Sequence, residues 1–148
     1  MIQEMDLLPD WEVTTLDGSP APSLHDFRGK VVLLLIFSRG CPGCMGRAVP
    51  YSKSLLADFP DLQIIGIHTQ FEGPEYSQRQ IEEVKLYFKL PYPLLVDQGK
   101  KTFEKYAAEG TPHWLLVDRE GRLLKSFFGS MEGARQRLVY SLTELFES

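Results

Sequence analysis

The chain contains two cysteines, and they stand close together as Cys41-Pro42-Gly43-Cys44, directly after the apolar run 31–37. Pro42 suits the first position of a helix, where its absent N–H has no partner to lose. Cys41 then falls at the N-cap, facing free backbone donors and the positive end of the helix dipole. That setting stabilises a thiolate, the nucleophile of thiol–disulfide exchange. A second thiol one helical turn further on attacks the mixed disulfide that the first one forms and releases the product. The chemistry indicated is dithiol–disulfide exchange.

Two plainer readings carry less. As a staple, a disulfide closing a four-residue loop adds only about 2 kcal/mol by the chain-entropy relation, and a chain of 148 residues builds a core without it. As a zinc site the pair needs about two further ligands. His25, His68 and His113 are scattered along the chain rather than spaced as in a zinc finger.

Other residues are candidates around the dithiol. Arg39 and Arg47 flank it and are placed to lower the Cys41 pKa by charge, although solvated surface arginines give the same pattern. His68 is expected at the carboxyl end of a strand beside the one leading to Cys41, the edge where open α/β sheets keep their sites. It is a candidate for proton transfer, with a polar loop histidine as the alternative. His113 is expected to face solvent or pack beside Trp114, and His25 to lie on the surface.

Composition bounds the rest. At 43% hydrophobic and 24% charged residues, with 10 prolines and 12 glycines spread along the chain, residues 1–148 are expected to form one globular domain. A net charge of −4 and the absence of a basic stretch interleaved with aromatics argue against a nucleic-acid surface. The longest apolar run, seven residues, falls far short of the roughly 20 that span a bilayer. The acidic start MIQEMD lacks a signal-peptide pattern. The expected location is therefore cytoplasmic if Met1 is the native start, and extracytoplasmic if a signal segment was removed.

Strand and helix patterns alternate, the signature of an α/β sheet with crossover helices. Strands are expected at 11–16, 31–37, 62–68 and 94–97, followed by a hairpin of 114–118 and 123–128 around Arg119-Glu120-Gly121-Arg122. The helix from about Pro42 to Asp58 carries the apolar stripe Ala48, Tyr51, Leu55 and Leu56, with a kink expected at Pro50. A loop at 71–76 leads to an amphipathic helix over 77–88 with Ser77 as N-cap, and a short helix follows at 101–106. The last helix, about 132–146, packs Leu138, Leu142 and Leu145 on one face.

Taken together, these features resemble the thioredoxin-like superfamily over nearly the whole chain, and within it the TlpA-like and redoxin (AhpC/TSA-related) branch. The strand-then-CxxC ending at Cys44, the Gly110-Thr111-Pro112 segment, the strand Leu115-Leu116-Val117-Asp118 followed by Gly121, and the central helix-plus-strand unit 77–97 carry the likeness. The resemblance implies a central mixed sheet flanked by helices, with an N-terminal strand extension and a central helix-strand insertion. It implies Cys41 as attacking thiol, Cys44 as resolving thiol, Pro112 as a cis-proline lying against the pair, and Thr111 in the substrate groove.

The chain departs from the family pattern at four places. Gly40 stands where a tryptophan usually precedes the first cysteine, which removes one wall of the usual recognition surface. Leu35 replaces the buried aspartate of thioredoxins, and Arg47 replaces a glutamate found in many TlpA-like proteins. Pro50 lies six residues after Cys44 rather than five, a shift of one in helix register. With the usual carboxylates missing, His68 is the nearest candidate to accept the Cys44 proton, with water as the alternative.

The expected function is a thiol–disulfide oxidoreductase acting on protein thiols and disulfides with an electron donor or acceptor, using no organic cofactor and no metal. One alternative is a peroxiredoxin-like peroxide reductase, supported by the shared insertion and by Ser38 three residues before Cys41. It lacks that motif's earlier proline, which is Leu34 here. The other is a non-enzymatic copper- or zinc-binding thioredoxin-like protein, although copper-delivery relatives use a spacing one residue longer.

Overall fold

The computed structural model describes residues 2–71 and 73–147. Its strands are β1 (Val13–Thr14), β2 (Val32–Phe37), β3 (Gln63–His68), β4 (Leu94–Asp97), β5 (His113–Val117) and β6 (Leu123–Phe128). They form one sheet in the order β1-β4-β3-β2-β5-β6. The centre is β2, parallel to β3 and antiparallel to β5, so the sheet is mixed.

The central place of β2 follows from its residues, because a strand covered on both faces must be apolar at every position. All six of its side chains are buried. Leu33, Leu35 and Phe37 pack with Ala48, Val49 and Leu55 of the helix that follows the dithiol and with Leu138 and Leu142 near the C-terminus. Val32, Leu34 and Ile36 face the opposite side, where Leu8, Trp11, Leu24, Phe103 and Tyr106 cover them. Helices α2 (Gln78–Phe88), α3 (Lys101–Lys105) and α4 (Glu132–Glu147) complete the layers.

The N-terminal strand is shorter than the expected 11–16. The Trp11 indole N–H donates to the Pro22 carbonyl at 2.8 Å and the ring is buried. Beyond Thr14 the chain closes a turn instead, with the Thr15 and Ser19 backbones joined and the Asp17 carboxylate accepting from Ser19. Hydrogen bonds from Ser19 and Thr15 hold the exposed Asp17 carboxyl down at about 2. Ser77 caps α2 as expected, its hydroxyl accepting from the Gln80 N–H while the Gln80 side chain reaches back to the Ser77 N–H.

Residues 42–58 are helical. The regular part is α1 (Val49–Asp58), preceded by a π turn at Cys44–Ala48, in which the Val49 N–H donates to the Cys44 carbonyl five residues back. A π turn holds one residue more than an α turn, and Pro50, which has no N–H to give, follows it directly. The one-residue displacement of Pro50 relative to the family pattern is taken up there.

Candidate active site

The carboxyl end of β2 delivers the chain into a turn that ends at Cys41. The Cys41 N–H donates to the Ser38 carbonyl at 3.1 Å, and the Ser38 hydroxyl accepts from the Gly40 N–H at 3.2 Å. Cys41 then caps the helix through its own carbonyl, which accepts from the Cys44 and Met45 N–H groups at 3.1 and 3.0 Å. Its sulfur has two partners. It receives the Cys44 N–H at 3.2 Å and gives its thiol proton to the Thr111 carbonyl at 3.3 Å. Both cysteines are free thiols; Cys41 is half-buried and Cys44 fully buried. Burial, reinforced by the Cys41 sulfur beside it, pushes the Cys44 thiol far above its ordinary range.

The Thr111–Pro112 peptide is cis, and Pro112 lies against the dithiol helix. A Cβ placed on Gly43 would come 3.9 Å from Pro112 Cδ and 3.1 Å from Ser130 Oγ. The absence of a side chain at Gly43 lets three segments, the dithiol turn, Thr111–Pro112 and the segment after β6, meet closely. Cys41 and Thr111 share a groove of about 300 Å³, whose other walls include Ser38, Phe71, Glu109 and Phe128. Phe71 is fixed there by stacking on Phe103, ring centroids 4.6 Å apart.

The remaining candidates have partners of their own. The Arg47 Nε donates to the Ser130 hydroxyl at 3.0 Å. Arg39 reaches Glu83 at 3.3 Å and the Gln80 carbonyl. Both guanidinium groups are thus engaged by neighbouring elements rather than by the Cys41 sulfur. His68 is not an open loop residue: it is 3% exposed, and its Nε2 accepts the Arg39 backbone N–H at 3.0 Å. Burial, with the Arg39 charge second, pushes its pKa down to about 4. Through this bond His68 anchors the turn at 38–41.

His113 is likewise buried rather than solvent-facing. It lies between the Ser126 hydroxyl at 2.8 Å and the Glu109 N–H at 3.3 Å, and burial lowers its pKa to about 4. Among the described residues, no three His, Cys, Asp or Glu side chains converge as a metal-ligand set, and the copper or zinc reading gains no support.

Sequence reasoning overlooked the aromatic residues around the dithiol, Phe71, Tyr76 and Phe128. The available signal was weak: three aromatics in loops or at strand ends, far from Cys41 in sequence, which only the parallel pairing of β2 with β3 and the β5–β6 hairpin bring to one edge.

Comparison with known proteins agrees with this geometry. The AhpC/TSA family profile matches residues 5–126. The thiol-disulfide oxidoreductase ResA of Geobacillus thermodenitrificans is 27% identical over 132 residues, covering 88% of this chain and 73% of that protein. Among solved structures, the thioredoxin-like superfamily protein SPOA0173 superposes with a TM-score of 0.82 at 26% identity, covering 97% of this chain and 96% of that one. A thiol-disulfide isomerase from Corynebacterium glutamicum gives a TM-score of 0.79 at 29% identity, covering 97% of each chain. The mixed sheet, the dithiol at the carboxyl end of β2 and these matches lead to one assignment: the chain belongs to the AhpC/TSA family and has the thioredoxin-like fold.

Proposed function

We propose that this thioredoxin-like oxidoreductase exchanges electrons with protein disulfides, with Cys41 as the attacking thiol and Cys44 as the resolving thiol. The observation that carries the reading is the asymmetry of the pair, a half-exposed sulfur at a helix start backed by a buried one a turn away. The Cys41 thiolate attacks one sulfur of a substrate disulfide, forming a mixed disulfide and expelling the other sulfur as a thiolate. Cys44 then gives up its proton and attacks the Cys41 sulfur. The Cys41–Cys44 disulfide forms, the second substrate sulfur leaves and takes up a proton, and two electrons have passed to the substrate. The Cys44 N–H points at the sulfur whose charge changes in both steps.

Thr111 and Pro112 form the substrate side of this arrangement, with the Thr111 carbonyl facing Cys41 across the groove. A separate dithiol restores the reduced enzyme, and the compartment's redox poise sets the direction of flow. No helix among the described residues is long and apolar enough to cross a membrane.

The test is insulin reduction by the pre-reduced chain, with hydrogen peroxide as a competing substrate. Wild type reduces insulin, Cys41→Ser does not, and Cys44→Ser accumulates a mixed disulfide. A rate with peroxide exceeding that with disulfides by orders of magnitude would establish the peroxide-reductase alternative instead.

A further inference from the structure

We infer that Tyr76 is a substrate-contacting residue of the dithiol site, supplying from the loop after β3 the aromatic wall that Gly40 does not. A Cβ built on Gly40 would come 2.6 Å from the Tyr76 hydroxyl oxygen and 3.4 Å from Cε2 and Cζ of the ring. The phenol end of Tyr76 therefore lies directly on the backbone one residue before Cys41. No side chain fits at position 40 while it stays there, so a glycine at 40 and a tyrosine at 76 form one arrangement. Tyr76 does not itself line the groove of Thr111, Phe71 and Phe128, but it packs on Gly40, which does.

The ring is held rather than loose. The His68 imidazole meets it edge-on at 5.8 Å and 80°, and the Arg39 guanidinium lies 5.9 Å from its centroid. His68 and Arg39 are in turn joined through the Arg39 N–H. Tyr76 is only half-buried, so part of it is open to a docking chain. A fixed aromatic ring carrying a hydroxyl at a site edge binds peptide at small entropic cost, because little rotamer freedom remains to be lost.

A protein disulfide brings peptide backbone on either side of its cysteine, and that backbone offers the N–H and C=O groups the hydroxyl needs. A small aromatic disulfide has no such flank. The inference rests on the protein-disulfide reading, and it separates from it by comparing two substrates: insulin, and 5,5′-dithiobis(2-nitrobenzoate).

Tyr76→Phe keeps the ring and its packing but removes the hydroxyl. It is expected to lower kcat/KM for insulin roughly fivefold, the scale of one neutral hydrogen bond, mainly through KM. Tyr76→Ala is expected to lose at least ~10-fold. Tyr76→Phe, which keeps the ring against His68 and Arg39, should react with the small disulfide within about twofold of wild type, since attack by Cys41 itself is untouched. A Tyr76→Phe variant equal to wild type on both substrates overturns the inference. Equal losses of Tyr76→Phe on both substrates overturn it as well, because that is the result of removing a structural prop. A wild-type chain that reacts with the small disulfide but leaves insulin intact overturns the protein-disulfide reading itself, and the inference with it.

Discussion

Cys41 and Thr111, 70 residues apart in sequence, are joined by a 3.3 Å hydrogen bond from the thiol to the carbonyl oxygen. The antiparallel pairing of β2 with β5, Ile36 opposite His113, creates that meeting by bringing the end of one strand to the start of the other. Cys41 is thus tied to the segment that borders the groove. Cys44 lies beneath it, without access to water.

Cys44 gives the first prediction. Burial holds its thiol protonated through the neutral range, so the thiolate that performs resolution is a minor species whose population rises tenfold per pH unit. In stopped-flow measurements on a Cys41 mixed disulfide, the resolving rate should climb nearly tenfold for each unit between pH 6 and 9. A plateau in that window would show that a neighbouring base carries the proton. The same raised pKa stabilises the reduced fold below the unfolded thiol value, about 8.5, and that contribution is lost as pH rises beyond it.

His68 separates anchoring from proton transfer. As the acceptor of the Arg39 N–H it holds the turn that ends at Cys41. His68→Ala leaves that donor unpaired in a partly buried site and opens a void beside Phe37, whose ring meets the imidazole at 5.3 Å. A loss of about 2–4 kcal/mol in urea denaturation is expected. The first attack by Cys41 and the resolution by Cys44 should slow by similar factors. Selective slowing of resolution would restore His68 as the base.

Much of this was legible in the sequence because the informative residues act locally. A seven-residue apolar run announces a central strand, Ser77 announces a helix start, and Pro42 after Cys41 announces the dithiol helix. The displaced Pro50 marked an irregular helix, although its form as a π turn depends on hydrogen bonds that no local pattern encodes. The environment of His68 was not legible for a different reason. Its position at the sheet edge follows from chain order, but its orientation depends on Arg39 and on Tyr76, which arrives from a loop with no periodicity. The same holds for Gly40: a missing wall is visible in sequence, whereas its replacement from another loop requires the fold.

The two buried histidines set an acid limit on stability. His68 and His113 are each pushed down to about 4 from an ordinary value of 6.5, in both cases chiefly by burial. Unfolding restores the higher value, so between those limits the unfolded chain binds more protons than the folded one. Their contribution is complete above pH 6.5 and is lost as pH falls towards 4. The slope approaches about 1.4 kcal/mol per pH unit for each histidine. Urea midpoints at pH 7, 6 and 5 should fall progressively, and His113→Gln should flatten the curve. A wild-type midpoint constant from pH 7 to 5 would contradict the buried, neutral state of both rings.

Gly66 sits in the middle of β3, where its lack of a side chain is needed for packing rather than for backbone conformation. A Cβ there would come 2.5 Å from Leu94 Cδ2 and 3.3 Å from ring atoms of both Phe37 and Tyr92. The Tyr92 ring is fixed through its hydroxyl, 2.7 Å from that of Ser52 on the active-site helix, and Phe37 ends the strand leading to Cys41. Neither ring yields without disturbing the dithiol support. Gly66→Ala should therefore destabilise the fold by about 1–3 kcal/mol through overpacking, even though alanine is otherwise the better residue in a strand interior. Thermal melting together with insulin-reduction rates would check this. The expected result is a lower Tm with slower turnover below the melt; an unchanged or raised Tm would mean that Leu94 repacks freely and that the contact with Phe37 does not constrain the site.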